Sequence, residues 1–295
     1  MNVHCLICRG NNIYIHLDDG ATVLSPDSIG SSRTLIAHGR ILRCRDCRFA
    51  FRQERADPHT LADLYRQMDT SQYEAEAAGR ARTAARHLQI VQRYIMQGSI
   101  LDVGCASGLF LELARRAGWK IAGLEPSVTL FEKAKAALKG RGKLYSETLE
   151  HATLPKASFD AVTLWDVLEH VPEPLDFLTT CRELLKPGGY LFANVPDLES
   201  LQSRVLGAHW PLLLAEHLNY FNRGSLRLCG TKADLTLLRF GRRRAYFSVD
   251  YLLYRLAQHG IPGTSLGRRL TGRVLGRLCV PISLGETWAV WRKRG

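Results

Sequence analysis

The sequence predicts an α/β fold: a doubly wound, mostly parallel sheet preceded by a small cysteine-rich module. Three observations carry this. Residues 99–108 read as a short buried strand, a turn of small residues (Gly104-Cys105-Ala106-Ser107-Gly108) and the start of a helix. Residues 120–124 read as a second strand that ends in Glu125, 21 positions after Gly104. Two Cys-x-x-Cys pairs, Cys5/Cys8 and Cys44/Cys47, stand near the start of the chain. A length of 295 residues gives room for one large domain and such a module.

A strand that turns through small residues into a helix leaves backbone N–H groups bare at the helix start and lets a ligand approach the main chain. An acid at the end of the next strand is placed to accept hydrogen bonds from ribose hydroxyls. Position 106 is Ala rather than the middle Gly of a dinucleotide fingerprint.

Taken in order, the cysteine pairs come first. Each supplies two thiolates, and together they close a four-sulfur site with no open position, so a zinc ion there is structural. The 13–17 and 34–37 stretches are expected to pair as strands, and 49–51 as a strand end. Residues 58–68 and 72–97 are helical in pattern and are expected to cover part of the ligand cleft, the second with its arginines outward. An amphipathic helix over 127–138 leads to a brief third strand at 143–145.

Residues 159–165 are apolar almost throughout, as a central parallel strand requires. The strand's C-terminal end carries Asp166, Glu169 and His170, on the side where open parallel sheets bind ligands. A helix over 174–185 is stopped by Lys186-Pro187-Gly188-Gly189 before a fifth strand at 190–195. Residues 197–222 are too long for a plain connection and interleave polar and aromatic side chains, among them His217, which is the composition of a lid. Strands six and seven are expected at 235–240 and 286–291. Cys105, Cys181, Cys229 and Cys279 read as core or loop thiols. The expected organisation is a zinc ribbon at 1–56, a helical cover at 57–97, and a domain at 98–295 containing the lid (197–222) and a basic insert (241–284).

Net charge is +12, and residues 239–295 hold twelve Lys/Arg against Asp250 and Glu286. That segment, with Arg242-Arg243-Arg244, Arg268, Arg269, Arg273 and Arg277, is either a solubilising face or a contact for an anionic surface such as a membrane. The N-terminus lacks a secretory pattern and no apolar run reaches membrane-span length, so a cytoplasmic location is expected, with peripheral membrane contact as the alternative.

Four stretches resemble class I S-adenosylmethionine-dependent methyltransferases: 101–108 (LDVGCASG), 123–126 (GLEP), 159–171 (FDAVTLWDVLEHV) and 185–189 (LKPGG). The resemblance implies a Rossmann-like sheet whose seventh strand is antiparallel. It also implies that Asp102, Gly104, Ala106 and Gly108 face the methionine part of the cofactor and that Glu125 holds the ribose. The base would lie near Glu147, Thr148 and the Leu149 backbone, with Trp165 beside the cofactor. The order of cysteine pairs, helices and methyltransferase motifs is similar to bacterial methyltransferases with an N-terminal zinc-binding module, several of which act on sugars or surface-polysaccharide precursors. That group shares a Glu-His-Leu-x-Tyr-Phe stretch, here at 216–221, but has Gly where this chain has Arg48.

The activity implied is methyl transfer to a small-molecule hydroxyl, most simply of a sugar or glycan precursor. Such an enzyme aligns nucleophile and methyl group and removes one proton; His170 and His217 are the candidate bases. The Asp-x-x-Glu-His spacing of Asp166, Glu169 and His170 also resembles the Glu-x-x-Glu-His of ubiquinone-pathway O-methyltransferases, which implies a divalent cation, although Asp166 is one methylene shorter. The alternative partner is RNA, suggested by the zinc module and net charge. Against it, the charge excess lies far from the cysteines, and no basic stripe with stacking aromatics accompanies them. There is no Asn/Asp-Pro-Pro-aromatic motif for amines of bases and no Pro-Cys pair for cytosine C5.

Overall fold

The computed structural model describes residues 3–20, 38–54, 76–258, 276 and 278–295. The strands in chain order are β1 (Ile13–Leu17), β2 (Ile41–Cys44), β3 (Ala50–Arg52), β4 (Ser99–Val103), β5 (Lys120–Leu124), β6 (Lys143–Tyr145), β7 (Phe159–Trp165), β8 (Leu185–Pro196), β9 (Asn219–Tyr220), β10 (Leu235–Arg242), β11 (Ala245–Ser248), β12 (Cys279–Ile282) and β13 (Glu286–Lys293). The helices are α1 (Ala77–Gln92), α2 (Leu109–Arg116), α3 (Val128–Leu138), α4 (Pro174–Leu184), α5 (Leu201–Leu206), α6 (Arg223–Lys232) and α7 (Val249–Gln258).

The central sheet has seven strands in the order β10-β13-β8-β7-β4-β5-β6. The pairs β4–β5, β4–β7, β5–β6 and β7–β8 are parallel, while β13 runs antiparallel to both β8 and β10. The strand order reverses at β4, so its C-terminal end faces a crevice, the usual ligand position in such sheets. β7 occupies the middle, and its apolar run is covered on both faces. The side chains fall into two large clusters. One joins β7 and β8 to α4 and α6; the other joins α1, α2 and Trp119 to β4 and Trp288.

Local chemistry sets the helix starts. Ser127 caps α3 by accepting from the Leu130 N–H, and Pro174 opens α4 where no amide donor is needed. Asn222 and Ser225 cap α6 reciprocally, each side chain bonding the other's backbone N–H at 3.0 Å.

β1 pairs antiparallel with β2, and the 34–37 stretch lies outside the described residues. Two expectations change. The Lys-Pro-Gly-Gly turn is part of β8, because Gly188 takes φ +76° and the β7–β8 register shifts just there; the helix ends at Leu184. The cysteine-rich module and the 197–222 segment also share a sheet. β9, from the lid, pairs with β3 (Ala50↔Tyr220, Phe51↔Asn219) and completes the order β1-β2-β3-β9. Arg52, 1% exposed, donates from its backbone to Leu218 O and from its guanidinium to Ala215 O. Cys5, Ile7, Phe49 and Phe51 belong to the same buried cluster as Phe221, Leu226 and Cys229.

The expected helix at 58–68 and Arg268, Arg269, Arg273 and Arg277 lie outside the described residues. The part of the basic insert described here begins with an antiparallel pair, β11–β12, held on α1 by the Tyr246 N–H to Thr83 Oγ1 bond (2.9 Å). No helix among the described residues is long and apolar enough to cross a membrane.

Candidate active site

The turn after β4 is left-handed at Gly104 (φ +73°), Ala106 (φ +49°) and Gly108 (φ +76°). A Cβ on Gly104 would stand 2.9 Å from Val167 Cγ2, so only glycine fits both the conformation and the space. Ala106 carries a Cβ in a sparsely populated backbone region and is held there by its N–H, which donates to Glu125 Oε2 at 2.8 Å. The other oxygen, Oε1, accepts the Ser127 N–H at 2.9 Å. Burial pushes the Glu125 carboxyl up, and these two amide donors pull it back. Each oxygen still has acceptor capacity, so the carboxylate can hold the turn and receive ribose hydroxyls as well.

Asp102 is 3% exposed and accepts from Thr163 Oγ1 at 2.6 Å; burial pushes its pKa up to about 7. Thr148 pairs with His151 Nδ1 at 2.9 Å, and Leu149 is buried. Trp165 lies under the ring of His87, a residue of α1, with centroids 3.9 Å apart and planes within 12°. Burial holds His87 down to about 3, so a neutral ring caps the tryptophan. Nothing in the sequence distinguished His87 from other helical polar residues.

At the end of β7, Asp166 takes φ +57° and turns toward β8 and β10. Its Oδ1 accepts from Asn194 Nδ2 at 2.5 Å and its Oδ2 pairs with Arg243 at 2.7 Å. Arg243 also pairs with Glu286 through its other terminal nitrogen. The side chains are 13% exposed for Arg243, 4% for Glu286 and 44% for Asp166, so the relay is dry at Glu286 and opens to the cleft at Asp166. Burial opposes the Asp166 charge, yet Arg243 holds its carboxyl below the usual range. The basic run 242–244 is therefore not a uniform surface face: its middle arginine belongs to the site.

Asp166 thus faces Arg243 and Asn194, and the donor atoms gathered within 4.8 Å of one another are those of Glu169, His170 and His217. The divalent-cation expectation for Asp166, Glu169 and His170 therefore changes in its ligand set. The rings of His170 and His217 meet edge to face at 4.8 Å. His170 Nδ1 lies 3.0 Å from Glu216 O, and His217 Nδ1 lies 2.8 Å from Leu212 O. A carbonyl only accepts, so Nδ1 carries the proton in both rings and Nε2 is the basic nitrogen. Burial lowers both pKa values, His217 to about 3, which leaves both imidazoles neutral near pH 7. Glu169 is 1% exposed with no partner for Oε2, and burial raises it well above the ordinary carboxyl range. Its backbone oxygen accepts from the N–H groups of Leu218 (2.8 Å) and Asn219 (3.0 Å), which ties residues 218–219 to the end of β7.

The four N-terminal cysteines converge, with Cys5 and Cys47 sulfurs 3.4 Å apart and Cys8 and Cys44 sulfurs 3.5 Å apart. That is too long for a disulfide and close to the ~3.8 Å that tetrahedral bonds of about 2.3 Å to zinc impose. The residues after the two knuckles, Arg9 and Arg48, have φ of +66° and +61°. Arg48 thus sits in the left-handed region that glycine enters without strain. It is anchored there by Glu199 (2.8 Å) and by Asn222, which donates to its carbonyl at 2.7 Å. Cys105, Cys181, Cys229 and Cys279 are all buried.

Strand order, the glycine turn and Glu125 define the fold of S-adenosylmethionine-dependent methyltransferases. Residues 57–239 match the family described as Methyltransferase domain, and the chain belongs to that family. It is similar to a ubiquinone biosynthesis O-methyltransferase of Histophilus somni, 32% identical over 140 residues that cover 44% of this chain and 59% of that one. The counterpart of Haemophilus ducreyi is 35% identical over 38% of this chain and 52% of its own. The matches thus span only about half of these relatives' length. In fold the chain is similar to an S-adenosylmethionine-dependent methyltransferase of Mesorhizobium loti (TM-score 0.50, 16% identity, covering 72% of this chain and 98% of that one).

Proposed function

We propose that this protein methylates a hydroxyl of a small-molecule acceptor, a sugar or glycan precursor, with S-adenosylmethionine as donor and His170 as general base. The observation that carries this is His170, a neutral imidazole with Nδ1–H committed to Glu216 O, placed just beyond the C-terminal end of the central strand. S-adenosylmethionine supplies a methyl group on a sulfonium, which a lone pair can displace directly. Asp102, Gly104, Ala106, Gly108 and Glu125 line the donor side, with Thr148 and Leu149 toward the base and Trp165 at the floor. Nε2 of His170 takes the acceptor proton. His217 and the lid exclude water from that proton transfer. The relatives' names support oxygen as the methylated atom. The cysteine cluster holds structural zinc, and the protein works in the cytoplasm or at the membrane face.

A second reading has a cation on Glu169, His170 and His217, favoured by the buried, unpartnered Glu169 Oε2. His170 would then be a ligand rather than the base. Labelled S-adenosylmethionine and cell extract test the first reading: label in a carbohydrate supports it, and label in a phenolic ubiquinone precursor overturns the acceptor class. Dialysis that leaves ribbon zinc bound, followed by magnesium, tests the second: full activity without added metal eliminates it.

A further inference from the structure

Beside the reaction centre lies a cavity of about 360 Å³, walled by α5, the start of α6, the β10–β11 turn and residues 283–287. Four arginines line it: Arg204, Arg223, Arg242 and Arg244. None has a carboxylate within ion-pair distance among the described residues. The acids of the cavity offset them only in part. Glu199 is shared by Arg43 and Arg48, and Glu286 is taken by Arg243. Asp197 is 8% exposed, accepts the Glu199 N–H at 3.0 Å and is pushed up by burial against the pull of Arg223 and Arg204. The Arg223 guanidinium also lies over the Phe240 ring, 5.9 Å from its centroid, and cationic side chains lining one concavity repel each other unless an anion joins them.

The cavity sits at the sheet edge that carries the chemistry. β8 ends there at Pro196, β10 ends at Arg242 and β13 begins at Glu286. Glu286 lines the cavity and is joined through Arg243 to Asp166, at the end of β7 and four residues before His170. An acceptor seated among the arginines would therefore extend along this relay toward His170. Leu201, 73% exposed, gives the same cavity an apolar wall.

We infer that this cavity binds a phosphate or diphosphate group of the acceptor. Guanidinium forks match phosphate oxygens bidentately, and four of them suit a multiply charged anion better than a single carboxylate. The inference rests on the proposed acceptor methylation but concerns a separate surface. The phosphate belongs either to a soluble phosphorylated acceptor or to a lipid headgroup.

The test uses the full chain and inorganic pyrophosphate, titrated calorimetrically at low salt into wild type and into Arg242→Gln/Arg244→Gln. Both arginines are exposed, and an unchanged donor affinity in the variant shows that it remains folded. The expected result is pyrophosphate binding weakened about tenfold or more per guanidinium removed. Pelleting with phosphatidic-acid vesicles, but not with phosphatidylcholine vesicles, that depends on the same arginines places the phosphate on a lipid. Pyrophosphate binding without pelleting places it on a soluble acceptor. Equal binding by wild type and variant, or none by wild type in either format, overturns the inference. Failure of methyl transfer with intact, arginine-dependent pyrophosphate binding would count against the proposed reaction and not against this site.

Discussion

Replacing Arg243 by Gln isolates the relay between the cavity and the reaction centre. Two attractions are lost, and they differ in weight. The pair with Asp166 is screened, because 44% of that carboxylate's side chain is exposed. The pair with Glu286 is not, since only 4% of that side chain is exposed; Arg243 meets its Oε1, and its buried Oε2 has no hydrogen-bond partner. Stranding a buried charge costs about 3–5 kcal/mol, so Arg243→Gln is expected to lose about 3 kcal/mol near pH 7, most of it at Glu286. The pH dependence identifies the source. Burial already raises the Glu286 pKa, and losing Arg243 raises it further. A carboxyl with a raised folded-state pKa is most favourable below its unfolded value and costs stability as pH climbs toward the folded value. The deficit of Arg243→Gln should therefore shrink between about pH 7 and pH 5. Asp166 adds a smaller share: its carboxyl is depressed in wild type by Arg243 and loses that hold in the variant, but it is 44% exposed and solvent screens the change. Urea unfolding at both pH values, with Arg243→Gln/Glu286→Gln as partner variant, reads this directly. The double variant should recover most of the loss near pH 7, because a neutral amide needs no counter-charge. A single variant within about 0.5 kcal/mol of wild type, or one whose deficit is the same at both pH values, would refute the reasoning.

Other expectations follow from the same geometry. His170→Ala should lower kcat about 10²–10⁴-fold with donor affinity unchanged, and the wild-type kcat/KM should fall only below the ordinary histidine range, because burial depresses the His170 pKa; undiminished kcat would remove His170 as base. Glu125→Ala unties both the Ala106 and Ser127 amides and should weaken donor binding by about 1.5–3 kcal/mol; calorimetry showing no change would sink the assignment. Cys47→Ser should abolish recovery of about one zinc per chain. Because the cysteine module shares a buried cluster with Phe221 and Leu226, it should also raise the acceptor KM. A normal KM in the metal-free variant would show that lid and module are independent.

The sheet was readable because its signals are local. Residues 159–165 form a strand over the expected span, and the 3.6-residue pattern placed α3 and α4 within a residue or two. The acids and histidine after β7 were readable from their position at a strand end. What was hidden depends on contacts between distant segments. Arg243 is one of three consecutive arginines and looks like a solvated charge; only the β10–β13 register and the turn after Arg242 bring it to Glu286 and Asp166. His87 gained a role because α1 crosses over Trp165. The antiparallel bonding of Phe51 to Asn219 leaves no trace in the local pattern of either segment, since a two-residue strand has no periodicity to detect. Arg48 shows the converse: a departure from glycine in the sequence is met by two specific anchors in space.

The sheet shared by cysteine module and lid has a consequence for synthesis. The edge of β3 waits for β9, whose first residue leaves the ribosome roughly 170 residues after Phe51, about 8–35 s at ordinary elongation rates. During that interval β3 presents an unpaired strand edge, which β9 later fills, and the aromatic faces of Phe49 and Phe51, which the finished protein buries in one cluster with Phe221. Four thiolates closing on a metal as soon as Cys47 emerges would hold this nascent edge in one conformation until its partner arrives. The knuckles would then act as a placeholder during translation, and the last strand of the first-made sheet is supplied by residues 219–220.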